Sequence, residues 1–341
     1  MTPAEQVVLW FRRSGRQMEW RNTRDPYKIW VAEIIMQQTR IETGVAYFHR
    51  FIKQFPNLDS LAKADQDQVL KYWEGLGYYS RARNLHAAAQ QLLHEYGGKF
   101  PTDHTELIKL KGIGPYTSRA IASFAFGKQV AVLDGNVLRV VSRYLGDPDP
   151  IDETRTRKKF QGILDTLLGE TDSREFNHAM MDIGSMVCTP TKPGCLLCPL
   201  TESCIARAEG LTTVLPRKGK KQSRKTRYFH FLIPRNKQGI FIRKRAEKGL
   251  WGGLWEIPNH EVKMDAYKQQ REQKGFEFLG TGKHAFTHFE MLYQVFEGDS
   301  SGLADQEGLT FVKYENLPNF AFPRAVLNIF NQYLDQAIDR P

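Results

Sequence analysis

Two acidic residues carry the first chemical signal in this chain. Glu33 is the only ionisable side chain between Lys28 and Arg40, within a predicted helix over 27–40 that is apolar nearly all round. Burial there would remove water from the carboxyl group and raise its pKa toward that of a general acid. A structural glutamate paired with an arginine such as Arg21 is the competing interpretation. The pattern favours the catalytic role.

The second carboxylate follows a short apolar run. Asp134 comes after residues 130–133 and directly before 137–145, a segment with helical periodicity. Asp134 or Asn136 could cap that helix, and a carboxylate at a helix N-terminus stays ionised. The alternative interpretation is that Asp134 only caps the helix and has no catalytic role. Together with Glu33, Asp134 offers one protonated and one anionic carboxyl group.

A turn with two glycines lies between two predicted helices. Asp103 and Glu106 form a predicted capping box for the first helix, Gly112 ends it, and Pro115 opens the second. With Gly114, this turn lets backbone N–H groups approach an anion at a helix N-terminus. It predicts a grip on a nucleic-acid backbone without sequence readout, with an ordinary tight turn as the alternative.

The four cysteines of the chain fall in one short stretch with the spacing C-x6-C-x2-C-x5-C. Clustered cysteines in an intracellular protein favour metal ligation over disulfides. Four thiolates can hold zinc or a 4Fe-4S cluster. A single C-x2-C flanked by two lone cysteines favours the iron-sulfur cluster. The predicted ligands are Cys188, Cys195, Cys198 and Cys204.

A second glycine-rich turn, over 75–84, carries aromatic and basic side chains. Its glycines are predicted to turn Leu76, Tyr78 and Tyr79 outward beside Arg81 and Arg83. Such a set suits insertion between base pairs with phosphate contacts alongside. A buried aromatic turn is the alternative.

Composition narrows the class of partner. Lys and Arg outnumber Asp and Glu by 48 to 38, and the pI is about 9.3, which indicates a polyanion, with nucleic acid ahead of an anionic membrane. No apolar run approaches the ~20 residues that cross a bilayer, and the N-terminus lacks a signal-peptide pattern. We expect a cytoplasmic, nucleoid-associated protein that does not enter membranes.

The elements that must position these residues change character along the chain. Residues 1–208 show helical periodicity and include the cysteine loop over 188–204, so an all-α catalytic domain is predicted. Residues 209–227 are basic, with no acidic residue from Leu211 onward, and are predicted to be an extended, solvated linker. Alternating patterns then predict an α+β domain over 228–341. The fold class is thus multidomain, all-α followed by α+β.

With these residues in view, the chain resembles the adenine DNA glycosylase (MutY) family, within the helix-hairpin-helix iron-sulfur glycosylases. The resemblance covers essentially the whole chain. It rests on five motifs in one order: Trp20-Arg21-Asn22 to Gln38-Thr39, Gly75-Leu-Gly-Tyr-Tyr79, the hairpin at 112–114, Val132-Leu-Asp-Gly-Asn136 and the four-cysteine loop.

The resemblance implies removal of adenine mispaired with 8-oxoguanine, through base flipping. Glu33 would protonate adenine N7 and later help to activate water, while Asp134 would stabilise the oxocarbenium-like sugar or bond to it. Positioning roles fall to Asn136, Tyr116 and Arg21. The implied adenine pocket is Arg16, Trp20, Arg21 and Gln37. The implied DNA contacts are Gly112, Gly114, Gln38, Thr39, Leu76, Tyr78 and Arg81.

The C-terminal domain resembles the Nudix-like module of the same family, so Phe286, Thr287 and His288 would read the lesion. A hydrolytic Nudix box needs a glutamate-rich helix, and here Arg271-Glu272 is the best remnant, so nucleotide hydrolysis is not expected. Departures from the family pattern are Thr287 where Ser is frequent, Met18-Glu19 where Leu-Pro is usual, and His178 where Glu or Gln is common.

Position 116 separates activities within the superfamily. Related glycosylase-lyases carry a lysine there that forms a Schiff base, and Tyr116 cannot form an imine. The resemblance therefore implies a monofunctional enzyme. It also implies that the enzyme acts on double-stranded DNA and carries a 4Fe-4S cluster, and we expect a monomer. A bifunctional glycosylase-lyase for oxidised pyrimidines and a non-catalytic, redox-sensing DNA-binding protein are the alternatives.

Overall fold

A computed structural model describes residues 1–219, 223–269, 275–299 and 308–334. Lys220 and Lys221 of the predicted linker, and Arg271-Glu272 of the Nudix remnant, lie outside these ranges. The chain divides into two compact units. One comprises Met1–Ala62 with Ala87–Lys221, and the other comprises Lys63–His86 with Gln222–Pro341. The assignment of residues 63–86 to the second unit has no counterpart in the sequence pattern.

The first unit is helical, as predicted. Its helices are α1 (Pro3–Ser14), α2 (Pro26–Met36), α3 (Ile41–Gln54), α4 (Leu58–Ala62), α6 (Ser80–Glu95), α7 (His104–Leu107), α8 (Pro115–Phe126), α9 (Gly135–Tyr144), α10 (Thr154–Leu168), α11 (Ser173–Asp182) and α12 (Ile205–Ala208). The first residues of α6, up to His86, are assigned to the second unit.

Local capping accounts for where several of these helices begin. The Thr2 side chain accepts from the backbone N–H of Glu5, and the Glu5 side chain accepts from Thr2 N, which completes a capping box at α1. Asp25 caps α2 ahead of Pro26, and Pro115 opens α8 as predicted. At α7 Asp103 is the N-cap, but the predicted capping box does not form, because the Asp103 side chain accepts from Thr105 N and not from Glu106 N. Glu106 instead pairs with Lys109, one turn away at 2.7 Å.

The helix predicted over 27–40 is shorter than expected. It ends at Met36, and Gln38 has a φ of 56°, a left-handed conformation that an α-helix cannot contain. Residues 37–40 are therefore a loop between α2 and α3. This break places Gln37, Gln38 and Thr39 at the rim of the cavity described below.

Helix α11 continues into a π-helical segment, Ile183–Val187, which leads to Cys188. The wider turn is compatible with a close approach at Gly184, where an added Cβ would lie 2.7 Å from Asn136 Cβ and 2.9 Å from Asn136 O. Segments of this type are frequent at functional sites. The first unit packs around buried residues of α1, α9, α10 and α11, among them Val7, Val141, Phe160 and Phe176.

The described part of the predicted linker is less solvated than expected. Leu215 is buried, its carbonyl accepts from Arg143 Nε at 2.8 Å, and the carbonyl of Arg217 accepts from Ile151 N. Gly219 N donates to Asp152 at 2.8 Å. The segment 211–219 is therefore attached to the helical unit at Leu215, Arg217 and Gly219, although five of its nine residues are exposed.

The second unit is α+β, as predicted, and combines a mixed sheet with helices. Its elements are α5 (Gln66–Trp73), β1 (Lys225–Arg235), β2 (Gly239–Lys244), β3 (Trp255–Glu256), β4 (Asn259–Val262), α13 (Met264–Gln269), β5 (Phe276–Ala285), β6 (Phe289–Asp299), β7 (Thr310–Lys313) and α14 (Arg324–Tyr333).

The strands run in the order β3-β2-β1-β6-β5, with β4 beside β1 and β7 beside β2. β1 and β6 are parallel, and β5 and β6 form an antiparallel hairpin around residues 286–288. The apolar core of this unit includes Phe231, Ile242, Val295 and Phe330. In the described ranges, no helix is both long and apolar enough to cross a membrane.

Candidate active site and cysteine loop

A cavity of approximately 770 Å³ in the helical unit collects most of the predicted active-site residues. Both carboxylates open onto it, and so do the proposed positioning, adenine-pocket and nearby DNA-contact side chains. The predicted residues that line it are Arg16, Trp20, Arg21, Glu33, Gln37, Gln38, Thr39, Tyr116, Asp134 and Asn136. The sequence therefore located one site, assembled from α2, α8, the start of α9 and the loop after α1.

Glu33 has the environment of a protonated acid. It is 6% exposed, on the buried face of α2, and it accepts a short hydrogen bond from the hydroxyl of Tyr116. Burial raises the pKa of Glu33 to about 7, while the Tyr116 hydrogen bond and the charge of Arg21 oppose the rise and Asp134 adds to it. Burial also holds the pKa of Tyr116 well above its usual value, so the phenol remains a donor.

Asp134, one of the two predicted caps, is the N-cap of α9. Its Oδ1 accepts from Val137 N at 2.7 Å, and its Oδ2 accepts from Asn136 Nδ2 at 3.0 Å. Burial raises the pKa of Asp134 from its usual value, and these two donors oppose that rise. The prediction that capping alone keeps Asp134 ionised therefore omitted the effect of burial. Because both partners donate, they favour the anionic form.

A buried ion pair network closes another wall of the cavity. The carboxylate of Asp182, with no solvent exposure, accepts from Arg21 Nη1 at 2.8 Å and from Arg16 Nε at 2.8 Å. Arg21 also donates to the carbonyl of Arg16 at 3.0 Å. His178, one turn earlier on α11, is 5% exposed, stacks on Phe124 and lines the same cavity.

The hairpin predicted to bind phosphate follows a shorter helix than expected, because α7 ends at Leu107 and not at Gly112. Gly112 is left-handed, with a φ of 72°, and Ile113 N donates to the carbonyl of Leu110 at 3.1 Å. Gly114 is the N-cap of α8, and a Cβ there would meet nothing within 4 Å. In the first turn of α8, Pro115 has no N–H and Ser118 N donates to the carbonyl of Gly114. The N–H groups of Tyr116 and Thr117 have no acceptor within the helix, so they are available to an anion.

Arg139 links Asn136, the partner of Asp134, to the cysteine loop. Its Nη2 donates to Asn136 Oδ1 at 2.9 Å and to the carbonyl of Gly184 at 2.6 Å, and its Nε donates to the carbonyl of Cys188 at 2.7 Å. Asn136 in turn donates to Asp134. A chain of side-chain hydrogen bonds therefore joins Asp134 to Cys188.

The cysteine loop is wrapped around a second arginine. Arg143 is 2% exposed and donates to Cys188 Sγ at 3.3 Å, to the carbonyl of Thr189 at 2.7 Å and to the carbonyl of Pro190 at 2.9 Å. Its Nε bonds the carbonyl of Leu215. One buried guanidinium thus ties the start of the loop, residues 188–190, to Leu215.

The four cysteines line one cavity of approximately 30 Å³. Across the described ranges, no three His, Cys, Asp or Glu side chains are arranged to hold a single metal ion. Four sulfurs around one zinc ion would each lie about 2.3 Å from it, whereas a 4Fe-4S cluster takes one thiolate on each iron and so holds the sulfurs farther apart. Four thiols that line one cavity fit the donor set of a 4Fe-4S cluster. Burial, reinforced by the neighbouring cysteines, raises the pKa of Cys198 to about 11.

The second unit has its own cavity of approximately 600 Å³, which contains the predicted lesion-reading residues. The predicted residues that line it are Leu76, Tyr78, Phe286, Thr287 and His288. Tyr78 is 49% exposed, with a φ of 48°, and its hydroxyl lies 2.8 Å from Thr287 Oγ1. Phe286 stacks on Phe289 with ring centroids 4.2 Å apart.

Two side chains of the 75–84 turn differ from prediction. Tyr79 points inward: it is 7% exposed, and its hydroxyl donates to the carbonyl of Phe322 at 3.1 Å. The guanidinium of Arg81 lies over the rings of Trp73 and Tyr78 and donates to the carbonyl of Gly77 at 3.3 Å. Arg81 thus stabilises the turn, and burial lowers its pKa to about 10. Its contact with DNA stays a prediction.

Several residues of these sites were missed by the sequence interpretation. Asp182, Arg139 and Arg143 bind partners far along the chain, and the lining residues Met181 and Ser185 have no distinctive pattern. One signal was available for Asp182: it lies four residues after His178, and therefore on the same face of α11.

Family models match both halves of the chain. Residues 31–165 match the HhH-GPD superfamily base excision DNA repair protein model, and residues 229–332 match the NUDIX domain model. An adenine DNA glycosylase of Buchnera aphidicola (subsp. Schizaphis graminum) is 33% identical over 291 residues, 84% of each chain. The Homo sapiens adenine DNA glycosylase is 27% identical over 401 residues, 97% of this chain and 73% of its own.

Solved structures agree on the helical fold. A thermostable thymine-DNA glycosylase has a TM-score of 0.56 and 27% identity, covering 60% of this chain and 95% of its own. An endonuclease III trapped as a covalent intermediate with DNA has a TM-score of 0.53 and 22% identity, covering 61% of this chain and 95% of its own, and this likeness concerns the fold alone. With the motifs, the two carboxylates in one cavity and these relatives together, the chain belongs to the adenine DNA glycosylase family of base-excision-repair enzymes.

Proposed function

We propose that this enzyme removes adenine mispaired with 8-oxoguanine or guanine, and that it does so as a monofunctional glycosylase. The observation that carries the proposal is the shared cavity of Glu33 and Asp134. Glu33 is held by a phenol in a nearly dry environment, and Asp134 is held by two N–H donors. Such a pair separates the acid from the anion in a glycosidic reaction.

The mechanism assigns each proton and electron pair. Glu33 donates its proton to N7 of the flipped adenine, and the C1′–N9 bonding electrons leave with the base. Asp134 stabilises the cationic sugar by its charge or by a bond to C1′. The Glu33 carboxylate then accepts a proton from the water that adds to C1′, which regenerates the acid and leaves an abasic site. Tyr116 and Asn136 orient the two carboxyl groups through the hydrogen bonds described above.

The absence of an amine nucleophile at position 116 supports the monofunctional assignment. Tyr116 donates its hydroxyl to Glu33, and a phenol cannot form an imine with C1′. The rival glycosylase-lyase requires such an imine. Borohydride separates the two activities: we expect no covalent protein-DNA adduct, and efficient trapping would overturn the assignment.

Single-turnover adenine release tests the proposed reaction. We expect rapid release from a duplex with adenine opposite 8-oxoguanine, slower release opposite guanine, and none opposite thymine. Glu33→Gln should abolish release while DNA binding persists, because the amide keeps the shape and cannot donate the proton. Retained activity in this variant would refute the role of Glu33. A redox-sensing DNA-binding protein, the other alternative, would release no adenine in any duplex.

The rate should also depend on pH in a defined direction. Glu33 must be protonated, and its pKa is raised to about 7. Release should therefore fall about tenfold for each pH unit above that value. Tyr116→Phe removes a hydrogen bond that favours the carboxylate, so the alkaline limb should move to higher pH. A limb that stays in place would exclude Tyr116 as a tuner of this acid.

Lesion recognition is assigned to the second unit. Thr287 and His288 are exposed hairpin residues that line the same cavity as Tyr78, and together they offer one hydroxyl, one imidazole and one aromatic ring to a nucleobase. The hairpin glycines 112 and 114 would bind the phosphate backbone, and Gln38 and Thr39 would contact the DNA near the lesion. DNA is therefore the proposed partner. We also propose that the enzyme acts as a monomer and is located at the nucleoid.

The cysteine loop would hold a 4Fe-4S cluster through Cys188, Cys195, Cys198 and Cys204. When bound, the cluster would cross-link the loop through its four thiolate ligands. The loop side chains, Lys192 among them, would then be ordered against DNA phosphates. Iron and acid-labile sulfide analysis of purified protein tests this assignment: about four of each per chain is expected, and a single bound zinc ion would refute it.

A further inference from the structure

We infer that Asp182 is a positioning residue for adenine removal, because it holds Arg16 and Arg21 in the wall of the catalytic cavity. This inference rests on the proposed function of Glu33. The Asp182 carboxylate does not line the cavity and is not exposed to solvent. It acts through the two arginines.

The geometry of the Asp182 side chain is that of a two-armed clamp. One oxygen accepts from Arg16 Nε at 2.8 Å and from Arg21 Nη2 at 2.9 Å. The other accepts from the backbone N–H of Arg16 at 2.9 Å and from Arg21 Nη1 at 2.8 Å. All of these hydrogen bonds come from Arg16 or Arg21, and both arginines line the cavity. Paired Arg-carboxylate contacts of this kind fix orientation as well as charge.

Burial makes Arg21 dependent on its ion pair with Asp182. Asp182 has no solvent exposure and the side chain of Arg21 has 8%, whereas that of Arg16 has 26%. A buried charge left without its partner is costly, so Arg21 depends on Asp182 for compensation. The arginine pair holds the pKa of Asp182 below its usual value despite burial, which keeps the clamp anionic.

The clamp also sets the charge that Glu33 experiences. The groups that act on Glu33 are Tyr116 from α8, Arg21 from the segment after α1, and Asp134 before α9. Those around Asp182 are Arg16, Arg21 and His178, and His178 is held neutral by burial and by the nearby arginines. Removing the charge of Asp182 would leave Arg21 uncompensated, so the cavity would become more positive and Glu33 would lose its proton more readily.

Two substitutions with opposite signs test this role in the full-length protein. Asp182→Asn should shift the alkaline limb of the single-turnover pH profile to lower pH, by on the order of half a pH unit to one unit. Arg16→Met removes a cation and should shift the same limb to higher pH. Asp182→Glu keeps the charge and should restore the wild-type limb. A purely structural role would change stability or the amount of active enzyme, and would leave the limb in place in all three.

A matched control lies on the same helix. Glu175 of α11 pairs with Arg12 of α1 at 2.6 Å, but this pair is exposed and its residues do not line the cavity. Glu175→Gln should leave the pH limb unchanged. An unshifted limb in Asp182→Asn, in protein that folds and releases adenine, overturns the inference alone. If Asp182→Asn does not fold, Arg16→Met decides, because an unshifted limb there is equally fatal. Wild-type protein that releases no adenine overturns the proposed function instead.

Discussion

The hydroxyl of Tyr78 lies 2.8 Å from the hydroxyl of Thr287, although 209 positions separate them in the chain. Tyr78 holds a left-handed backbone, with a φ of 48°, on the turn before α6, and Thr287 lies at the tip of the β5–β6 hairpin. Backbone conformations that are sparsely populated persist where surrounding contacts enforce them, often at binding sites. The hydrogen bond therefore fixes the Thr287 hydroxyl in the free enzyme.

Tyr78→Phe should weaken recognition of 8-oxoguanine without removing the aromatic ring. A hydrogen bond of about 1 kcal/mol corresponds to about fivefold in affinity. We expect the ratio of affinities for duplexes with 8-oxoguanine and guanine opposite adenine to fall by roughly that factor, while the rate of adenine release at saturation is unchanged. Thr287→Ser, which retains a hydroxyl, is the control. An unchanged ratio in Tyr78→Phe would show that the contact has no part in discrimination.

Glu33→Gln should stabilise the fold at alkaline pH while abolishing activity. The pKa of Glu33 is about 7 in the folded protein, against 4.5 ordinarily. Below the ordinary value both states are protonated, and between the two values only the unfolded chain ionises, so this group lowers folding stability as pH rises. The loss is complete above the folded pKa. At about pH 8 the variant should gain on the order of 1–3 kcal/mol, and at about pH 4 nothing.

Chemical denaturation at both pH values measures this effect. Equal stability differences at the two values would mean that the gain comes from packing and not from ionisation. Asp152→Asn is a useful contrast, because the Asp152 carboxylate is exposed and accepts from Gly219 N, which lowers its pKa. Its ionised form is therefore favoured by folding, and its loss should not stabilise the protein at alkaline pH.

Arg143→Gln should release the cysteine loop. The guanidinium bonds the carbonyls of Thr189, Pro190 and Leu215 and the sulfur of Cys188 in the interior. Leaving several of these acceptors unpaired costs roughly 3–5 kcal/mol. We expect lower iron content and faster loss of iron to a chelator. Arg155→Gln, an exposed change on α10, is the control, and equal iron retention in both variants would contradict the assignment.

Gly184→Ala should disturb the N-terminal end of α9, where Asp134 and Asn136 lie. The new Cβ would lie 2.7 Å from Asn136 Cβ and 2.9 Å from its carbonyl oxygen, so Asn136 or the π segment must move. Overpacking of this kind costs about 1–3 kcal/mol, and displacement of Asn136 loosens its bond to Asp134. Single-turnover adenine release should fall by at least about tenfold. Gly162→Ala on α10 is the matched control, because nothing lies within 4 Å of its Cβ.

Release that is equally fast in both glycine variants would mean that Asn136 does not position Asp134. The control variant should also be slightly more stable than the wild type, since alanine is favoured over glycine inside a helix by about 0.5–1 kcal/mol. Thermal unfolding measures this difference, and a loss of stability at Gly162 would indicate a crowded site that the structure does not contain.

Local patterns in the sequence predicted a large part of this protein. Helical periodicity, the Pro115 start of α8, the left-handed Gly112 and the Asp134 cap depend on neighbours within a few residues, and the structure has each of them. The cysteine spacing and the lone carboxylate in an apolar helix predicted which side chains could do chemistry. Such features are readable because their physical causes are short in range.

Tertiary structure decided what surrounds those side chains. Asp182 meets Arg16 and Arg21 across 166 and 161 positions, and Tyr78 meets Thr287 across 209. Tyr79 is buried and Arg81 is turned onto its own loop, although the sequence places both beside an exposed turn. No local pattern encodes these pairings, because they depend on which helices and hairpins pack together, and burial by that packing is what raises the pKa of Glu33.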